Sequence, residues 1–222
     1  MSQNSAGVEH ELAWHSLNGA GLDYVCPDWL DRTRSPSLMH WLASSSKTRP
    51  LVAKQLRADF QLEPLPGASA ADFPMNILQR GPAFVQQLAL YVGYVGFSQV
   101  VRKSIDGRFK RAFWELVGEP GYLFISKRAA FYNPGLVVRF VPPLQTGGSI
   151  SETEILVAGL SVLRAVIAAT GPATARRLNL MFPVTVLESL RQQTDISVDA
   201  KELSILNRVV LKLFSELGGT AS

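Results

Sequence analysis

Residues 81–101, GPAFVQQLALYVGYVGFSQVV, lie between Arg80 and Arg102 and contain no charged side chain. Such a stretch is long enough to cross a bilayer as a helix. Its composition argues against that use, because it carries Pro82, three glutamines (Gln86, Gln87, Gln99), Ser98 and three glycines. An amide buried without a partner costs about 1–3 kcal/mol. The stretch therefore predicts the buried central helix of a water-soluble domain, running from Pro82 to about Ser104, with no membrane span. Inside it, Gly93 and Gly96 are each about 1 kcal/mol less favourable than alanine. They fall on one face and predict that another helix approaches closely there.

The rest of the chain supports a packed helical domain. The protein has 222 residues, 47% hydrophobic and only 18% charged. At that length a chain buries roughly 70% of the surface its unfolded form exposes, so disorder, collagen and coiled-coil rods are excluded for its bulk. Cys26 is the only cysteine, which excludes a disulfide scaffold and fits a reducing, cytoplasmic compartment. The first residues, MSQNSAGVEHEL, have neither the basic nor the apolar region of a secretory signal.

Local signals place the other elements. An irregular segment over about 1–35 precedes Ser35–Pro36, which opens the short helix SLMHWLA. In LVAKQLRADFQL, Val52, Leu56 and Phe60 share a helical face, and EPLPGASAADFP reads as a loop. Asp106 is placed to cap GRFKRAFWELV and Gly118 to end it. YLFISKRAAFY reads as helical, with Phe124, Arg128, Ala129 and Phe131 together on the surface. LVVRFV, bounded by Asn133–Pro134–Gly135 and by Pro142 and Pro143, reads as a strand. Ser151 and Glu154 form a capping box for EILVAGLSVLRAVIAAT, which Gly171–Pro172 ends. ATARRLNLMF follows, and Asp199 and Glu202 open a last helix striped by Leu203, Leu206, Val210, Leu213 and Leu217. The expected fold is mainly α, a single helical domain over residues 1–222 with a small β element near 136–141.

Chemistry-bearing residues are sparse. His10 and His15 are five apart, about 140° around a helix, and cannot grip one metal as an i, i+4 pair does. Cys26 would be a nucleophile only beside a histidine such as His40, and a small buried thiol is the plainer reading. The glycine pairs Gly93/Gly96, Gly118/Gly121 and Gly147/Gly148 match no phosphate-binding loop. Neither enzyme activity nor a cofactor is expected.

Positive charge, by contrast, is concentrated. Arg102, Lys103, Arg108, Lys110, Arg111, Lys127, Arg128 and Arg139 face only Asp106, Glu115 and Glu119 within residues 99–139. That local excess is larger than the net +4 of the whole chain. Phe109, Phe113 and Trp114 interleave with it. On a helix, Phe109, Phe113 and Leu116 form an inward stripe and leave Arg108, Lys110 and Arg111 on other faces. A solvated helix face, a docking patch for a protein or membrane surface, and a nucleic-acid-binding regulator are the three readings of that charge.

Three segments carry a family resemblance. LDYVCPDWL is similar to the tyrosine-to-tryptophan-leucine signature of the SctK proteins of type III secretion (the YscK/PscK/MxiK/OrgA group). LALYVGYVGFSQVVRKSIDGRFKRAFWELVGEPGYLF resembles that family's central region, and ARRLNLMFP its arginine-leucine-to-proline stretch. Cysteine before Pro27, and Val117 interposed between Leu116 and Gly118, depart from the family pattern. The resemblance implies a non-enzymatic cytoplasmic adaptor of a Gram-negative virulence machine, peripheral to the inner membrane. It would join the cytoplasmic domain of the SctD-like ring protein to the SctQ-like pod protein, with no nucleic-acid partner. Partner contacts are expected at Tyr24, Trp29, Leu30, Arg102, Lys103, Arg108, Lys110 and Arg111, with core anchoring as the alternative for Tyr24 and Trp29.

Overall fold

The uncharged stretch of residues 81–101 is helical throughout in the computed structural model, which describes residues 21–33, 35–63, 73–142, 150–193 and 196–218. The protein is mainly α-helical, and no strand occurs among the described residues. Two short 3-10 turns, Leu22–Tyr24 and Pro27–Arg32, lead into α1 (Pro36–Ser44), α2 (Arg49–Asp59), α3 (Phe73–Gln79) and α4 (Gly81–Lys103). Then come α5 (Gly107–Leu123), a run of single turns to Phe140, α6 (Glu152–Ala168), α7 (Pro172–Leu180), α8 (Val184–Arg191) and α9 (Ala200–Glu216). Residues 64–72 of the loop expected over 63–74, residues 1–20 with His10 and His15, and Pro143, Gly147 and Gly148 lie outside the described residues, and Phe73 and Pro74, expected in that loop, instead open α3.

The described residues form two compact units. The first comprises the described residues up to Val85 with Ile167–Val184, and the second Gln86–Val166 with those from Thr185 onward. In the first, Val25, Leu30, Met39, Val52, Leu56, Leu62 and Leu180 make one core cluster, which Trp29 and Phe60 flank. The backbone N–H of Cys26 donates to Leu180 O (2.7 Å), tying the irregular N-terminal segment to the end of α7. Arg176 donates to Gln61 O (2.7 Å) and the buried Arg177 to Glu63 O (2.8 Å), so two guanidiniums hold the chain where it leaves α2. Burial, and then Arg57, lower the Arg177 pKa below its usual value.

In the second unit, α4 and α6 touch backbone to backbone. A Cβ on Gly159 would lie 1.8 Å from Ala89 O, and one on Gly93 would lie 2.3 Å from Ile155 O. Each helix thus gives a glycine to the other's carbonyl. Gly96 serves a different neighbour, because its Cβ would meet Val141 at 2.9 Å and Val137 at 3.3 Å. The predicted close approach at Gly93 and Gly96 is present, but with two partners rather than one.

The helix signals act as their residues dictate. Asp106 Oδ1 accepts from Arg108 N (2.8 Å), and Gly118, at φ 68°, breaks α5. Glu154 N donates to Ser151 Oγ (3.2 Å), while the Glu154 carboxylate accepts from Ser151 N (2.7 Å). Asp199 and Glu202 form the same reciprocal box. Of the expected α9 stripe, Leu206, Val210 and Leu213 are buried and Leu203 and Leu217 only partly so, while Val209 and Phe214 join the buried face.

Two expectations are corrected. The segment 136–141 is not a strand: Pro134–Val137 is a helical turn and Val138–Phe140 a 3-10 turn. Asn133 takes the left-handed conformation (φ 50°) and its carbonyl accepts from Leu136 N (3.1 Å). The backbone groups there bond locally, and Gly96 leaves room for Val137 and Val141 against α4, so packing overrides β propensity. Phe124 and Ala129 are buried rather than on the surface, and only Phe131 of that cluster's aromatics stands out in solvent. Phe124 sits edge-on to Tyr91 at 5.0 Å and beside Tyr132 at 5.6 Å.

The glycine contacts reverse the usual ranking of residues in a helix. Alanine normally gains about 1 kcal/mol over glycine there, whereas forcing α4 and α6 apart costs about 1–3 kcal/mol or more. Gly159→Ala is therefore expected to lower stability in urea denaturation followed by circular dichroism. Gly107→Ala, where a Cβ meets nothing within 4 Å, is expected to be neutral or slightly stabilising.

Burial pushes Tyr94 and Tyr132 up to about 12, from an ordinary value of 10.0, with Glu216 adding to the effect at Tyr132. The neutral ring is the one the fold holds, so this contribution is complete below pH 10 and is lost as pH rises toward 12. Absorbance titration of tyrosinate is expected to show Tyr94 and Tyr132 among the late-ionising groups of the folded chain, with Tyr94→Phe removing one of them.

Candidate functional site

The fold divides the basic block of residues 99–139. Arg128 pairs with Glu216, and Arg139 pairs with Glu202 while also donating to Ser197 O (3.1 Å). Glu202 thus caps α9 with one carboxylate oxygen and anchors Arg139 with the other. These two arginines hold α9 and its preceding loop, a structural use of charge that spacing did not reveal.

Of the remaining cations, Arg102, Lys103, Arg108 and Arg111 are exposed around the start of α5, Lys110 is half-buried there, and Lys127 is exposed in the turn after α5. Arg102 donates to Ser126 O (2.9 Å), and Arg111 pairs with Glu115 at 3.1 Å across one helical turn. Lys103, Arg108, Lys110 and Lys127 have no ion-pair partner among the described residues. Exposed i, i+4 pairs contribute only about 0.3–0.5 kcal/mol, so Arg111 stays available to a competing carboxylate.

Phe113 orients this face. It is 2% exposed and lies parallel to Phe97 of α4, with ring centroids 6.2 Å apart. Phe109 stacks on its other side at 6.3 Å. With Phe113 turned inward, the helical period puts Arg108 and Arg111 on the outward face, with Trp114 at its edge and the half-buried Lys110 flanking the inward stripe. Trp114 is 46% exposed. Leu116, expected in the inward stripe, is instead 38% exposed, because α5 breaks two residues later at Gly118 and the stripe leaves the core. The site therefore sets unpaired cations on the same helix as an exposed indole, with the exposed Leu116 on the opposite side of that helix. Ile105, which the sequence did not single out, is wholly exposed at the corner before α5.

The N-terminal site residues belong to the first unit, away from solvent for the most part. Leu30 is buried in the core cluster. Trp29 is half-buried, donates from Nε1 to Phe182 O (3.0 Å) and sets its ring edge-on to Phe60 at 5.1 Å. The Tyr24 hydroxyl donates to Gln79 O (3.4 Å). These contacts fit the anchoring alternative for Tyr24 and Trp29.

Cys26 and His40 are the catalytic candidates among the described residues. Cys26 is buried and its thiol is pushed up, first by burial and then by the Asp28 carboxylate, which disfavours the thiolate. His40 is exposed and pairs with Asp31 at 2.8 Å. Among the described residues, no three of His, Cys, Asp and Glu gather as metal ligands. A cavity of about 450 Å³ in the second unit is lined by Arg139, Val141, Glu154, Ser189 and Gln193. Its arginine is held by Glu202 and its glutamate by the Ser151 cap. No helix of the described residues is long and apolar enough to cross a membrane.

Trp29→Phe keeps the ring against Phe60 and deletes one hydrogen bond, a change worth about 1 kcal/mol. Equilibrium unfolding is expected to register that loss, while the exposed face of α5 keeps its native hydrogen-exchange rates. No protein-family model matches the chain, and neither a curated protein nor a solved structure matches it.

Proposed function

We propose that the protein is a non-enzymatic adaptor that docks acidic partners on the outward face of α5. The observation that carries this reading is the pairing of unpartnered Arg108 and Lys110 with the half-exposed Trp114 on one helix. Aromatic residues and arginine are enriched at protein interfaces, where a flat amphipathic ring and a planar cation supply most of the energy. The resemblance of LDYVCPDWL, of the α4–α5 region and of ARRLNLMFP to SctK proteins supports the same class and gives the partners. In that reading the chain works in the cytoplasm at the inner-membrane face of a type III secretion injectisome. It links the cytoplasmic domain of an SctD-like ring protein to an SctQ-like pod protein, and the basic face meets one of the two.

The partners are expected to bind the purified chain with micromolar or tighter affinity in titration calorimetry. Charge reversal at Arg108, Lys110 and Arg111 together is expected to weaken one of the two contacts at least tenfold, since like charges facing across an interface cost several kcal/mol. The far-ultraviolet circular dichroism of that variant stays native, because Arg108 and Arg111 are exposed and Lys110 is only partly buried. Unchanged binding by a folded triple variant contradicts the assignment of this face.

A further inference from the structure

The corner between α4 and α5 shows an aliphatic side chain to solvent in a way the core does not explain. Ile105 is 101% exposed, although Val101, one turn earlier, is 4% exposed. A lone exposed aliphatic residue is ordinary on a protein surface. This one sits on a backbone that is pinned on both sides. Ser104 N donates to Val100 O (3.0 Å), Asp106 N to Ser104 Oγ (3.2 Å) and Arg108 N to Asp106 Oδ1 (2.8 Å). The hydrogen bonds fix the turn with Ile105 at its apex, so the side chain cannot fold back onto α4 without breaking the cap of α5.

Around that apex the charge is one-sided. Arg102 and Lys103 end α4, Arg108 lies in the first turn of α5, and Lys110 and Arg111 follow. Asp106 is the single acid in residues 102–111, and its carboxylate accepts the capping N–H of Arg108. We propose that this corner is a membrane-docking tip: Ile105 enters the headgroup region of an anionic bilayer while Arg102, Lys103 and Arg108 bind lipid phosphates around it.

A fully exposed corner with one aliphatic residue and cations before and after it suits a lipid surface better than a protein. A specific protein interface buries about 800 Å² on each side and needs a complementary socket. A bilayer yields around a small apolar wedge without any matched shape, and each cation near an anionic surface adds its own attraction. The inference does not rest on the adaptor reading, because lipid alone is the ligand.

Co-sedimentation of the full chain with vesicles tests it without any protein partner. Binding is expected to vesicles of phosphatidylethanolamine with phosphatidylglycerol, to weaken with added salt, and to be absent with phosphatidylcholine vesicles. Ile105→Ser is expected to reduce partitioning about tenfold, the scale of losing one buried aliphatic side chain. Lys103→Glu is expected to reduce it severalfold. Because Ile105 makes no core contact, Ile105→Ser keeps native circular dichroism. A second readout is insertion itself: in Ile105→Trp, tryptophan emission is expected to shift to the blue when anionic vesicles are added. The proposal is overturned by equal binding to both vesicle types, by no binding to the anionic ones, or by wild-type partitioning of Ile105→Ser. It is also overturned if Ile105 is needed for a soluble acidic protein while the vesicles do not bind.

Discussion

Two carbonyl oxygens, those of Ala89 and Ile155, set how close α4 and α6 run in the second unit. Each occupies the space where a side chain would begin on the opposite helix, at Gly159 and Gly93. Helices separated by ordinary side chains lie 8–10 Å apart, and neither of these contacts survives at the far end of that range. Once one face of α4 is given to α6, the remaining faces are assigned. Gly96 receives Val137 and Val141, and Phe97 meets Phe113 of α5. The aromatic group of Tyr91, Tyr94, Phe124 and Tyr132 fills the space beside them. Because α5 is held through Phe113, Arg108 and Arg111 on its far side are left exposed. The exposed basic face is thus a consequence of a glycine contact two helices away.

What was legible in the chain follows from the range of each interaction. Caps and breaks act within about four residues, so Asp106, Ser151 with Glu154, Asp199 with Glu202, Gly118 and Gly171 were readable from spacing. The uncharged stretch was readable as a buried helix because its glutamines and serine need partners. Gly159 was not, since a glycine's use depends on which backbone lies opposite. The segment LVVRFV misled for the same reason: its β-branched residues suit a strand, but Asn133 starts a helical turn and the room at Gly96 keeps it.

The site was legible in part. Concentrated charge pointed to residues 102–111, and the helical period separated the buried Phe113 from the exposed Arg108 and Arg111, while Lys110 is half-buried beside the inward stripe. The same concentration also suggested that Arg128 and Arg139 belong with them. Their partners, Glu216 and Glu202, are 88 and 63 residues away in the chain, and only the fold brings them together. The exposure of Leu116 and Ile105 was equally out of reach, because it depends on where α5 breaks and how its corner is pinned. Charge in this protein therefore has two uses. Paired arginines hold elements in place, and unpaired ones near Trp114 are left to meet something else.

The proposed adaptor role makes a spatial claim, that partners meet the outward face of α5 and not the anchored residues Tyr24 and Trp29. Differential hydrogen exchange of the full chain, with and without the SctD-like cytoplasmic domain or the SctQ-like pod protein, reads that claim amide by amide. The account predicts added protection within residues 105–117 on binding one of them, with Leu22–Arg32 unchanged. Protection confined to Leu22–Arg32, with 105–117 exchanging as in the free chain, would contradict it.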